Sequence, residues 1–126
     1  MKQILLIEDD PFLIDIYTTK LKEVGFKIEV ATDGEEGLRK LTASGPEEKK
    51  FDLLVLDIVL PQIDGWEILK KIKQDLKLKS LPVLILSNLG QKGEVEKGMK
   101  LGATKYLIKA HYTPSEVVEE IKEVLK

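Results

Sequence analysis

Ile4-Leu5-Leu6-Ile7-Glu8-Asp9-Asp10-Pro11 is the stretch on which the fold turns. Four aliphatic residues in a row are apolar at both parities, as in a strand buried on both faces at the centre of a parallel sheet. Acids follow at once. Asp10 before Pro11 reads as an N-cap with a first-turn proline, so a helix begins there. A strand therefore runs into an acidic corner and on into a helix.

The same form recurs along the chain. Leu53-Leu54-Val55-Leu56 and Val83-Leu84-Ile85-Leu86 are further two-sided apolar runs, Ile28-Glu29-Val30 alternates like an edge strand, and Tyr106-Leu107-Ile108 supplies a fifth strand. Between them lie helical patterns. Leu13, Tyr17, Leu21 and Val24 share one face and Gly25 follows as a C-cap. Asp33-Gly34 opens a second helix bearing Leu38 and Leu41. Asp64-Gly65 opens a third with Trp66, Leu69, Ile72 and Leu76 inward. A fourth spans residues 92–101 and stops at Gly102. Thr113-Pro114-Ser115-Glu116 is a capping box that starts a fifth, with Val117, Val118, Ile121 and Val124 or Leu125 inward. Residues 43–50 read as a longer polar surface loop. Five strand–helix repeats predict an α/β, doubly wound parallel sheet with helices on both faces, in a single domain over residues 1–126.

Bulk properties narrow the function. The 126 residues carry a net charge of −2, which gives no global attraction to nucleic acid. The absence of cysteine excludes thiol catalysis and Cys-based zinc sites, and a single histidine cannot build a His–metal cluster. No apolar run approaches the roughly 20 residues that cross a bilayer, and the N-terminus lacks a signal-peptide layout. The expectation is a cytosolic protein with no membrane contact.

Each central strand ends in a residue with useful chemistry. Strand one ends in Glu8 and Asp9, strand three in Asp57, strand four in Ser87 and Asn88, and strand five in Lys109. Parallel topology gathers these ends at one edge of the sheet, where ligands of such folds bind. Three carboxylates in one cleft repel each other unless a cation joins them. Mg²⁺ suits that set because it takes one or two carboxylates and keeps exchangeable waters. A carboxylate is also a nucleophile toward phosphorus, and phosphoryl transfer then needs charge cancellation on the equatorial oxygens, which Lys109 and the Ser87 hydroxyl can help supply. Taken singly, most of these residues have plainer readings as caps, turn residues or solvated charges. Their joint placement carries the weight.

At this point the chain resembles, over its whole length, the receiver domain of two-component response regulators. The resemblance rests on Ile4-Leu5-Leu6-Ile7-Glu8-Asp9-Asp10, Asp33-Gly34-Glu35-Glu36-Gly37-Leu38, Asp57-Ile58-Val59-Leu60-Pro61 with Asp64-Gly65, Leu86-Ser87, Gly102-Ala103 and Tyr106-Leu107-Ile108-Lys109. It implies a flavodoxin-like strand order of 2-1-3-4-5. It implies that Asp57 is the phosphoacceptor, that Asp9, Asp57 and the Val59 carbonyl bind Mg²⁺ (or Mn²⁺) with Glu8 acting through water, and that Ser87 and Lys109 contact the phosphoryl group. Tyr106 matches an aromatic switch that turns inward when Ser87 shifts. The implied partners are a histidine kinase or histidine phosphotransfer protein as donor and a downstream protein as target. A stand-alone monomer or weak homodimer without direct nucleic-acid binding is expected.

Two positions depart from the family. Asn88 stands where alanine is usual. Ala110 stands where a cis proline is usual, and because a cis bond without proline costs roughly 3 kcal/mol, the expectation is a trans bond or a strained cis bond that aims Lys109. Gly90, Gly93 and Gly98 mark helix four as weakly held, since each helical glycine costs roughly 0.5–1 kcal/mol. Competing readings are a non-phosphorylated pseudo-receiver that binds partners constitutively and an aspartate-nucleophile phosphatase of the haloacid dehalogenase type. The phosphatase wants an acid where this chain has Val59. A flavodoxin-like cofactor binder wants a phosphate-cradling loop where it has Glu8 and Asp9.

Overall fold

A computed structural model describes all 126 residues, Met1–Lys126. The strands are β1 (Gln3–Ile7), β2 (Lys27–Ala31), β3 (Leu53–Leu56), β4 (Val83–Ser87) and β5 (Lys105–Ile108); the helices are α1 (Pro11–Glu23), α2 (Gly34–Thr42), α3 (Gly65–Gln74), α4 (Lys92–Lys100) and α5 (Pro114–Val124). All strand pairs are parallel and their order is β2-β1-β3-β4-β5, as expected.

The pleat sorts the apolar runs between two cores. Leu5, Ile7, Leu54, Leu56, Val83 and Ile85 face one side with Leu41, Ile68, Leu69 and Ile72 from α2 and α3. Ile4, Leu6, Leu53, Val55, Leu84 and Leu86 face the other with Tyr17, Leu21, Val117, Val118 and Ile121 from α1 and α5. Successive residues point to opposite faces, so a run apolar at both parities fills both cores at once. From β1 the chain passes to β2 on one side, then crosses back over β1 to β3 on the other. That reversal leaves a crevice beyond the carboxyl ends of β1 and β3.

Local signals explain most helix ends. Asp10 accepts from the Phe12 and Leu13 N–H groups, Asp33 from Glu36 and Asp64 from Glu67. Thr113 and Glu116 cap α5 reciprocally. Gly25 follows α1 with φ +98°, a conformation open to glycine at little cost.

Several inward assignments fail at helix ends. Leu76 is 83% exposed rather than inward, because α3 stops at Gln74. Asp75 there leaves helical geometry and accepts from the Lys77 and Leu78 N–H groups, which turns Leu76 out. Val24 is the C-cap of α1 and lies exposed. Within 43–50 the chain forms a 3₁₀ turn at Gly45–Glu47. Gly90 precedes α4 instead of weakening it, and a Cβ there would come within 2.9 Å of the Ile108 side chain, so close packing explains it. At the N-terminus of α4 the Glu94 carboxylate accepts from the Gln91 N–H at 3.1 Å, a cap that the sequence reading missed.

Candidate functional site

Asp57 follows β3 in a corner fixed by close backbone packing. The Asp57 N–H donates to the Ile7 carbonyl at 3.1 Å, and the Gly65 N–H donates to the Ile58 carbonyl at 2.8 Å. A Cβ at Gly65 would lie 2.6 Å from the Asp57 carbonyl oxygen. Only glycine lets the start of α3 press on this strand end. Asp57 is itself 5% exposed, and its Oδ1 accepts from the Val59 N–H at 3.2 Å.

Glu8 and Asp9 arrive from the neighbouring strand. Their carboxylates and that of Asp57 each offer one oxygen, and the three oxygens lie within 4.8 Å of one another. Lys109, at the end of β5, places Nζ 2.7 Å from Glu8 Oε1 and 2.9 Å from Asp57 Oδ2. The second Glu8 oxygen accepts from the Asp10 N–H at 3.1 Å. Three carboxylates against one ammonium leave two uncompensated negative charges in the corner. The donor set is oxygen only. Hard donors with an excess charge of two fit a divalent ion of the Mg²⁺ class, with Mn²⁺ as a substitute.

Burial and charge work against each other here. Burial holds the Glu8 carboxyl above its ordinary value, although hydrogen bonding and charge from Lys109 and the Asp10 N–H offset part of the rise. Both Glu8 oxygens act as acceptors, which is how an ionised carboxylate bonds. Burial alone would lower the Lys109 ammonium, but Glu8 and Asp57 more than reverse this and hold it above its ordinary value. The lysine is therefore a fixed positive charge across physiological pH.

Ser87 ends β4 fully buried at the same edge, and its Oγ accepts from the Leu89 N–H at 3.2 Å. The Tyr106 hydroxyl donates to the Leu89 carbonyl. One backbone residue thus joins the serine to the aromatic ring. Burial pushes the Tyr106 hydroxyl upward, the negative charges of Glu94 and Asp57 adding to it, so it stays protonated as a donor. The Tyr106 ring also packs on Gly98 of α4, where an added Cβ would sit 2.8 Å from it.

The structure thus brings together Glu8, Asp9, Asp57 and Lys109, with Ser87 on the adjoining strand end and Tyr106 behind it. Val59 contributes its backbone N–H to Asp57, and its side chain is exposed. Asn88 is exposed at the rim. The Lys109–Ala110 bond is trans, and residues Lys109–His111 form a 3₁₀ turn. The Glu8–Lys109 pair and the Leu89 link escaped sequence reading, because no spacing in one dimension pairs two strand ends so far apart in the chain.

The chain and its strand order are matched in known proteins. Residues 4–122 match the family described as the response regulator receiver domain. The chain belongs to that family. It is a phosphoacceptor signalling module of the two-component type rather than a turnover enzyme. Relatives at this likeness include the alkaline phosphatase synthesis transcriptional regulatory protein PhoP of Bacillus subtilis, 33% identical over 99% of this chain and 49% of PhoP. The transcriptional regulator RpaA of Synechocystis is 31% identical over all of this chain and 50% of RpaA. The chain spans about half the length of the curated relatives it matches. Among solved structures, the Mn²⁺-bound response regulator Rcp1 superposes with a TM-score of 0.87 at 28% identity, covering 98% of this chain and 93% of Rcp1. A CheY-like receiver from Methanospirillum hungatei gives 0.87 at 27% identity, covering 99% and 94%. No helix of this receiver domain is long and apolar enough to cross a membrane.

Proposed function

We propose that Asp57 of this receiver accepts a phosphoryl group from a phosphohistidine on a histidine kinase or phosphotransfer protein. The supporting observation is the position of Asp57: it is buried at the switch point, beside two further acids and one committed lysine. Asp9, Asp57 and the Val59 carbonyl, with Glu8 through a water, are the groups that would hold Mg²⁺ or Mn²⁺. When bound, such an ion cancels charge on the phosphoryl oxygens and permits an anion to approach another anion.

The chain's own groups do the rest. A carboxylate oxygen of Asp57 forms the new O–P bond as the donor's N–P bond breaks, and the electron pair of that bond stays on the imidazole nitrogen. Lys109 transfers its ammonium from Asp57 to a phosphoryl oxygen. The Ser87 hydroxyl turns from the Leu89 N–H to donate to another. Pulling on Ser87 disturbs Leu89, and through the Leu89 carbonyl it disturbs Tyr106 and α4. The output is then a changed face of α4, β5 and α5, presented to a downstream protein. Asn88, exposed at the rim, would tune the lifetime of the phosphoryl group.

Intact mass after incubation with acetyl phosphate and Mg²⁺ tests this reading. One phosphoryl group per chain is expected, lost in base, kept in acid and absent in Asp57→Asn. Repeated turnover of ordinary phosphate esters would favour a phosphatase. No adduct, with Mg²⁺ binding demonstrated, would favour a constitutive binding module.

A further inference from the structure

Away from the Asp57 corner, Trp66, Lys70 and Lys73 lie at i, i+4 and i+7 along α3 and so form one stripe of that helix. Two contacts show that the stripe faces α4. The Lys97 ammonium of α4 sits 4.5 Å from the centre of the Trp66 ring. At the other end the Lys73 stem lies across Gly102, just beyond α4, where an added Cβ would come within 3.1 Å of Lys73 Cε. The two helices therefore meet along a seam of about 10 Å, the rise of seven helical residues.

The seam carries unpaired positive charge. Lys70 and Lys73 stand on its α3 side, Lys97 and Lys100 (at i and i+3) on its α4 side. None of the four forms an ion pair, although lysines on the other faces of the molecule do. Lys73 is the most constrained. Its ammonium donates to the Lys79 and Leu81 carbonyls, at 3.2 Å each, which fixes its position without cancelling its charge. Burial with no acid beside it pulls the ammonium below its ordinary value, a cost that an incoming carboxylate would offset. The half-buried Trp66 ring adds an apolar surface at one end.

We propose that the α3–α4 seam is a docking surface for an acidic helical segment of a partner protein, whose carboxylates sit on Lys70, Lys73, Lys97 and Lys100. Charge complementarity selects the occupant. The lysines recur at three and four residues, the spacing at which a helix presents glutamates along one face. All four are point charges, and none is the arginine fork that favours phosphate. The net charge of −2 also opposes the approach of a long polyanion such as duplex nucleic acid. An occupant that spans the seam would hold α4 against α3. That consequence rests on the switch proposed above; the binding itself does not.

The test uses unphosphorylated protein and a dye-labelled synthetic helical peptide with glutamates at every third or fourth position, free of aromatic residues. Fluorescence anisotropy of the dye gives the affinity, and the emission of Trp66, the only tryptophan, reports the place. Binding is expected at low ionic strength, with a shift in Trp66 emission, and should weaken as salt is added. Lys70→Glu with Lys100→Glu should weaken it by about tenfold or more, because two exposed attractions become repulsions. Lys70→Gln with Lys100→Gln, which only removes the two charges, should give a smaller loss and covers a folding failure of the first variant. Lys22→Glu with Lys27→Glu makes the same change of charge at exposed, unpaired lysines of α1 and β2 and should weaken binding by less than about threefold. No binding at low salt, binding that leaves Trp66 emission unchanged, or equal losses in the seam and control variants would overturn the inference. Tighter binding of a duplex DNA of matched charge would overturn it in favour of a nucleic-acid surface.

Discussion

Helices α3 and α4 follow adjacent strands on the same face of the sheet and are held by opposite means. α3 buries Ile68, Leu69 and Ile72 completely. At about 1.5–3 kcal/mol for each such side chain, that anchors it firmly. α4 buries only Gly98. Its other ties are few: the Glu94 carboxylate accepting from the Gln91 N–H at 3.1 Å, and the Lys97 ammonium 4.5 Å from the centre of the Trp66 ring of α3. An exposed cation–π contact is worth about 0.5–1 kcal/mol. The difference assigns roles. α3 presses Gly65 on the Asp57 corner and must stay, whereas α4 packs on Tyr106 and can move for a few kcal/mol. A switch needs both, because a moving part signals only relative to a fixed one.

The largest expected effect lies in α3. Leu69→Ala should lose about 2–5 kcal/mol of stability, measured by urea unfolding. A loss under 1 kcal/mol would erase the contrast between the helices. Gly98→Ala should also destabilise, by about 1–3 kcal/mol for overpacking, less the small gain of alanine in a helix. Tyr106 and Ile85 close on that site at 2.8 and 2.9 Å, so the ring must yield. Nuclear Overhauser contacts of Tyr106 should show it displaced, and an unmoved ring would mean that α4 is already free. The smallest effect is expected from Lys97→Ala. It should cost about 0.5–1 kcal/mol and change the emission of Trp66, the only tryptophan. Phosphorylation of the parent should shift that emission in the same direction if α4 moves away from α3. An emission unchanged by phosphorylation would break the assignment of α4 as the moving part.

Which parts of this were legible in the sequence follows from the range of the interactions. The strands and the burial of both sheet faces come from local patterns, since an apolar run such as Leu53-Leu54-Val55-Leu56 states its own burial, whereas the strand order came from the family resemblance. Asp10, Asp33, Asp64 and Thr113 cap helices through partners two or three residues away, and these were readable too. Leu76 was misplaced because helical periodicity continues past Asp75 while the backbone does not. Gly90 was misread because its reason, the Ile108 side chain, sits on another strand. The site divides in the same way. Its acids and lysine are visible as strand-end residues. The contact of Glu8 with the Lys109 ammonium joins remote chain segments, and only the folded geometry carries it.

The claim on which all this depends is that the aspartate closing β3 carries the phosphoryl group. Borohydride reduction of the phosphorylated protein, followed by digestion and peptide mass mapping, reads the modified residue directly. A reduced side chain at Asp57 alone is the expected result. Reduction at Glu8 or Asp9 instead, or an adduct with no reduced carboxylate at all, would contradict it.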